Sequence, residues 1–177
     1  MRNSNTGVHV AKEFSEEDLL ECLRFQNGGE GEVKTVALLG RVRGGKTTKL
    51  LKLAGRISGL GLRVGGICQP ESGGVYFARD FETAESRWIA RRENDSVFFN
   101  PETFGWAAQR IIHARKCCDV LAVDEIGRLE SLGKGHLSAL LQPVKGEAIR
   151  LRLLAVRDDV FDDVCRFLPE IDGIMLV

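Results

Sequence analysis

From Val33 onward, hydrophobic and polar positions divide the chain into alternating strand-like and helix-like stretches. VKTVALL (33–39) is a short apolar run closed by Gly40, the pattern of a strand buried on both faces. Between Lys46 and about Ile57, Leu50, Leu51, Leu53, Ala54 and Ile57 share one broad helical face. LRVGGIC (62–68) reads as a second strand. GGVYFARD (73–80), SRWIARR (86–92) and SVFF (96–99) are short β-rich runs between polar residues, which predicts antiparallel strands inserted on an otherwise parallel scaffold. Asn100 and Pro101 mark a helix start, as N-cap and first helical residue, and Phe104, Ala107, Ala108, Ile111 and Ile112 keep helical rhythm. CCDVLAVDE (117–125) is a buried strand ending in acids. Leu132–Leu141 reads as a helix and IRLRLLAV (149–156) as a strand. Asp158 then caps a helix carrying Val160, Phe161, Val164 and Leu168, and IDGIMLV (171–177) closes the chain as a strand.

Such alternation predicts an α/β fold of three layers: a mostly parallel sheet, helices on both faces, and a small antiparallel β insertion. Residues 33–177 form this one domain; residues 1–32 are an N-terminal extension. In the extension Ser15 caps a short helix with acids in its first turn, Leu19, Leu20 and Leu23 form a stripe, and the breaker QNGGEGE (26–32) follows. That stripe either packs on the domain or meets a protein partner.

Composition narrows the class. Of 177 residues 44% are hydrophobic and 28% charged, ample for one core. No run approaches the roughly 20 apolar residues of a membrane span, and residues 1–14 have no secretory pattern, so a cytoplasmic protein is expected. Net charge is zero, which removes the electrostatic case for a nucleic-acid or membrane binder. The zero hides a segregation: residues 33–70 carry eight cations and no acid, while the flanks are each at −4. Lys49, Lys52 and Arg56 step along the predicted helix as its solvated face. Five cysteines without a C-x-x-C pair suggest neither a disulfide framework nor a zinc site; they read as reduced, mostly core thiols. His9, His113 and His136 show no ligand-like spacing.

The chemistry lies in Gly40-Arg41-Val42-Arg43-Gly44-Gly45-Lys46-Thr47, which fits G-x-x-x-x-G-K-[ST] between a strand and a helix. Glycines let successive N–H groups turn inward as an anion nest at a helix N-terminus. Lys46 reaches β- and γ-phosphates, the Thr47 hydroxyl ligates Mg²⁺, and Thr48 continues the nest. Asp124, ending VLAV 78 positions after Lys46, is placed like the acid that serves such a metal. Both motifs fall where ligands bind open α/β sheets, beyond the carboxyl ends of strands. Glu125 adds a carboxylate suited to deprotonating a water. Arg128, Arg157 and Arg79 are candidates to neutralise transition-state charge.

Val123-Asp-Glu-Ile-Gly-Arg-Leu-Glu130 resembles the I-D-E-I-G-[KR]-M-E motif of the THEP-type nucleoside-triphosphatases. Gly65-Gly-Ile-Cys-Gln-Pro-Glu71 with the following GGVYFARDFET is similar to the family's G-G-F-x-T-x-E and β-insert, and Phe98-Phe-Asn-Pro-Glu-Thr-Phe104 matches in placement. The likeness covers about residues 34–177. It implies a single α/β domain that hydrolyses the γ-phosphate of ATP, GTP and other nucleoside triphosphates with Mg²⁺ and broad base tolerance. By position, Gly40, Gly45, Lys46, Thr47 and Thr48 hold phosphates and metal, Asp124 is the metal acid and Glu125 the base. Where the family loop reads G-x-P-G-x-G-K-T, this chain has Arg41-Val42-Arg43 before Gly44. Two alternatives stay open: a nucleotide or small-molecule kinase, with RWIARR as an arginine-rich lid, and a nucleotide-loaded switch with vestigial hydrolysis.

Overall fold

The structure, a computed structural model, describes residues 12–25, 32–168 and 171–177. Most of the predicted breaker (26–31) lies outside them. The elements run β1 (Lys12–Glu13), α1 (Glu16–Phe25), β2 (Lys34–Gly40), α2 (Lys46–Gly59), β3 (Val64–Cys68), β4 (Glu71–Ser72), β5 (Val75–Asp80), β6 (Ser86–Glu93), β7 (Ser96–Phe99), α3 (Pro101–Cys117), β8 (Val120–Ile126), α4 (Arg128–Ser131), α5 (Leu137–Leu141), β9 (Leu151–Arg157), a 3₁₀ turn (Asp158–Val160), α6 (Phe161–Val164) and β10 (Gly173–Leu176). Among the described residues the strands form one sheet in the order β1-β10-β2-β9-β8-β3-β5-β6-β7, with β4 beside β5. Pairings from β1 through β3 are parallel, and those from β3 outward are antiparallel. The fold is thus α/β, mostly parallel with an antiparallel insert.

Period-two alternation divides the core. Val36, Leu38, Val120, Ala122, Leu153 and Ala155 face one side with α1 and α2; Ala37, Leu121, Val123, Leu154 and Val156 face the other with α3, α5 and α6. Strands covered on both faces need apolar residues at every position, which is why these runs are continuous.

The N-terminal helix belongs to this packing. Ser15 Oγ accepts the Asp18 N–H at 3.1 Å, and Asp18 Oδ2 accepts the Ser15 N–H at 2.8 Å, a reciprocal cap. Leu19, Leu20 and Leu23 are buried in one cluster with Leu50, Leu53 and Ile57 of α2, so of the two readings of the stripe the structure shows packing on the domain. Glu16 pairs with Lys49 at 2.7 Å and with Arg56; these cations, expected on a solvated face, are partnered by α1. The two basic side chains hold the Glu16 carboxyl below its usual range.

Three further expectations change. The helix read over Leu132–Leu141 is confined to α5, Leu137–Leu141: Gly133 and Gly135 take φ of 73° and 63°, a left-handed backbone that separates it from α4. Asp158 does not cap the last helix; it lies in the first turn of the 3₁₀ segment, preceded by the extended residue Arg157. Of the cysteines only Cys68 and Cys118 are buried, Cys117 is intermediate, and Cys22 and Cys165 are exposed. Among the described residues no helix is long and apolar enough to cross a membrane.

Candidate functional site

The chain leaves β2 at Gly40, turns through Arg41–Gly45 and enters α2 at Lys46. The Gly44 N–H donates to the Arg41 carbonyl at 3.0 Å, and the residue before the helix, Gly45, has φ 91°. Arg43 also has a positive φ, 59°. It occupies the place of the second glycine in the family pattern, so an arginine holds a conformation that glycine adopts freely. The α2 N-terminus has no acid in its first turn, leaving its partial positive charge uncompensated by side chains. Lys46 is buried, and its Nζ donates to the carbonyls of Gly40 (3.0 Å) and Arg41 (2.7 Å). Val42 through Thr48 line one wall of a cavity of about 640 Å³. Gly40 and Arg41 lie off that wall and contribute the carbonyls that hold Lys46, while Arg43 stands at the rim, 3.8 Å from Glu71.

Across from the loop, β8 ends in a bulge. Val123 pairs with Leu154 and Ile126 with Val156, so Asp124 and Glu125 together oppose Ala155. Two neighbours on a regular strand point to opposite faces; a bulge re-aims one of them. Glu125 takes φ 61°, a conformation costly for any residue with a Cβ, and it lines the cavity. Asp124 is fully buried. Its Oδ2 accepts the Gln69 N–H at 3.0 Å, its Oδ1 accepts the Glu125 N–H at 2.9 Å, and the Thr47 side chain is near enough to favour the charged form of the same carboxylate. The loop threonine and the strand acid therefore lie near one another. Burial raises the Asp124 pKa, opposed by these hydrogen bonds and by Lys46. Burial and the Asp124 charge likewise raise that of Glu125, with Lys46 and Arg157 pulling it back.

A polar network supports the acids. The Gln69 side-chain amide donates to the Asp124 carbonyl at 3.3 Å and lies 2.9 Å from His136 Nε2. His136 is wholly buried, and desolvation lowers its pKa, favouring neutral imidazole. Buried Glu130 accepts the backbone N–H groups of Gly127 (2.9 Å) and His136 (2.8 Å), which closes the loop that follows the bulge. Sequence reasoning assigned no role to Gln69, Glu130 or His136. Glu130 ends the eight-residue motif and Gln69 lies in the matching GGICQPE stretch, so both were visible there. His136 had no local signal. Cys68, beside Asp124, has its thiol pushed up to about 11 by burial, which makes it a packing residue rather than a nucleophile.

The arginines separate. Arg157 lines the cavity and contributes favourably to Glu125, its guanidinium held bidentately by Asp159 at 3.0 and 2.6 Å. Arg128 also lines the cavity but is exposed, whereas Arg79 lies outside it. The remaining wall is built by the insert and the start of α3: Tyr76, Ile89, Val97, Phe99 and Phe104, with Arg92. Phe99 and Phe104 meet edge-on at 6.0 Å, and Phe104 lies 5.5 Å from the His136 ring.

Compared with known proteins, residues 35–166 match the family described as NTPase. Among solved structures, the chain is similar to the solution structure of a human cancer-related nucleoside triphosphatase, with 14% identity, a TM-score of 0.58, and coverage of 82% of this chain and 87% of that one. This likeness concerns the fold. No curated protein matches the chain.

Proposed function

Because the chain belongs to the NTPase family, we propose that it hydrolyses the terminal phosphate of ATP, GTP and other nucleoside triphosphates, with Mg²⁺, to diphosphate and phosphate. One observation carries the reading: the β8 bulge sets Glu125 in the same cavity as Lys46 and Thr47, while buried Asp124 lies near enough to Thr47 for that side chain to favour its charged form. The residues suit Mg²⁺. A hydroxyl and a carboxylate are hard oxygen donors, and a fully buried carboxylate whose pKa is raised by desolvation gains from a nearby cation. Thr47 would hold the ion directly and Asp124 directly or through its water. When bound, Mg²⁺ would neutralise phosphate charge and align the terminal phosphate.

The chain's own groups do the rest. The N–H groups of Gly44 through Thr48 and the α2 N-terminus bind phosphate oxygens. Lys46, held by Gly40 and Arg41, places its charge at the β- and γ-phosphates. Glu125 takes a proton from water as the water oxygen bonds to the γ-phosphorus and the bond to the β–γ bridging oxygen breaks. Its raised pKa brings it nearer the range useful for a base. Arg157, fixed by Asp159 beside Glu125, is better placed than Arg128 to meet charge developing on the transferred group. The apolar insert wall offers no dense hydrogen-bonding pattern to a base, which fits broad tolerance. A cytoplasmic setting accords with this reading.

Phosphate release from ATP, GTP, CTP and UTP, with and without Mg²⁺, tests it. Stoichiometric phosphate without an added acceptor is expected. Turnover only when a nucleoside or nucleotide is added would assign the cavity beyond Glu125, with Arg92 on its wall, to a phosphoryl acceptor and overturn the hydrolase.

A further inference from the structure

A second group of chemically capable side chains lies at the opposite end of the sheet. Cys118 lies two residues before β8, whose far end carries Asp124, and Glu82 follows β5 at its turn into β6. The ligand-capable atoms of Glu82, Cys117 and Cys118 all lie within 4.8 Å of one another. His113, one helical turn before Cys117 on α3, brings its Nε2 to 3.2 Å from Cys117 Sγ and 3.6 Å from Glu82 Oε2. We propose that Glu82, His113, Cys117 and Cys118 form a tetrahedral site for a thiophilic divalent cation, Zn²⁺ foremost.

The distances suit that ion. Zinc bonds of about 2.0 Å to nitrogen or oxygen and 2.3 Å to sulfur place adjacent ligand atoms of a tetrahedron roughly 3.3–3.8 Å apart. The edges from His113 to Cys117 and Glu82 fall at or near this spacing; the convergent trio is Glu82, Cys117 and Cys118, so the exposed His113 ring has to swing toward Cys118 to complete the tetrahedron. Two sulfurs, an imidazole nitrogen and one carboxylate oxygen favour Zn²⁺ over Mg²⁺, which seeks oxygen only. The four residues come from a helix, its first following residue and a distant β-turn. His113 and Cys117 are i, i+4 and share a face, a pairing that C-x-x-C and histidine-spacing rules pass over.

Burial and the neighbouring Glu82 and Cys117 favour the neutral Cys118 thiol, so the charge of the ion itself has to stabilise the thiolate. Gly65 on β3 leaves room for the buried thiol, since a Cβ there would come within 2.6 Å of Cys118 Sγ. Two thiolates, one carboxylate and a dication leave a net charge of −1. Arg110 stands against it, 3.3 Å from Glu82 and 3.0 Å from buried Asp80. His113 and Glu82 are partly exposed, at 52% and 26% of their side-chain surface, which gives the ion an entry path, while Cys118 closes the inner side. Uptake releases the two thiol protons, including the one that Cys117 donates to the His113 carbonyl at 3.1 Å. The bound ion would clip the β5–β6 turn, and with it the insert wall of the cavity, to the end of α3.

Titration of the reduced, metal-free full chain with Co²⁺, followed by displacement with Zn²⁺, tests the site. Expected are one equivalent of Co²⁺, intense tetrahedral d–d bands with a sulfur-to-cobalt charge-transfer band, and a melting temperature raised by Zn²⁺. Cys117→Ser and His113→Ala, both at accessible positions, should each weaken affinity by about tenfold or more and remove the zinc-induced melting shift. Asp124→Asn should retain the sulfur band. Absence of saturable uptake, an octahedral spectrum, or a sulfur band unchanged in Cys117→Ser would overturn the proposal. So would uptake abolished by Asp124→Asn, which would place the ion at the phosphate loop.

Discussion

The cavity has two unlike walls. Val42 through Thr48 present backbone, a helix N-terminus and Lys46, whereas the insert presents Tyr76, Ile89, Val97, Phe99 and Phe104. The first wall can recognise charge and is indifferent to what carries it. The second can recognise shape and apolar surface and contributes little to anions beyond Arg92. Between them Glu125 is held in a strained conformation. Affinity should therefore reside on the loop side, chemistry at the bulge, and discrimination among ligands, if any, on the insert side.

Glu125→Gln separates chemistry from affinity most sharply: turnover should fall by about 10²–10⁴ while the Kd for ATP stays within about threefold. Binding and turnover both unchanged would remove Glu125 from the mechanism. Lys46→Ala strikes the loop wall. Loss of charge-assisted phosphate contacts worth about 3 kcal/mol should weaken ATP and GTP alike by roughly 100-fold in calorimetric titration, and an unchanged Kd would sink the phosphate-loop assignment. Phe99→Ala probes the other wall, where about 1 kcal/mol of aromatic contact predicts a shift in KM of roughly fivefold with kcat preserved; a drop in kcat to the Glu125→Gln level would erase the contrast.

The pH dependence follows from the direction of the Glu125 shift. A base works ionised, and burial with Asp124 raises its pKa, so kcat should fall on acidification at a pH above the ordinary glutamate value of about 4.3. The raised value also means that the folded state favours the neutral carboxyl. Its stabilising contribution is present below the unfolded pKa and lost as pH rises through the folded one. The melting temperature of Glu125→Gln relative to the parent should therefore climb with pH over that interval. A constant difference would contradict the burial argument. Smallest of all, Arg43→Gly removes a left-handed arginine and should stabilise by about 1 kcal/mol in urea denaturation, with nucleotide affinity little altered.

The parallel half of the fold was legible because strands such as VKTVALL and LRLLAV carry runs of four consecutive apolar residues, and the Asn100 cap because it is local: its side chain accepts the Thr103 N–H. The phosphate loop was legible because its residues are contiguous. What escaped depends on residues distant in sequence or on backbone sign. Nothing in the letters Asp-Glu announces that Asp124 and Glu125 share a bulge, since that depends on their register with β9. The partners Gln69, Glu130 and His136 meet from three segments. Lys49 and Arg56 looked solvated because Glu16, 33 and 40 positions away, lies on a helix whose docking no periodicity specifies. The break at Gly133 and Gly135 was written in plain glycine, but the surrounding leucines outvoted it in a helical reading.

β9 lies between β2 and β8, pairing Gly40 with Arg157 on one side and Ile126 with Val156 on the other. At about 4.8 Å per strand, it spaces the phosphate loop from the acids by two strand widths, roughly 10 Å across the sheet. One strand thus serves as a gauge block between the loop that the proposed mechanism uses to hold charge and the acids that it uses to move a proton. Deleting a single residue from β9 would shift its register against both neighbours by about 3.3 Å, turn its alternating side chains to the opposite faces and carry Arg157, its last residue, away from its place on the cavity wall.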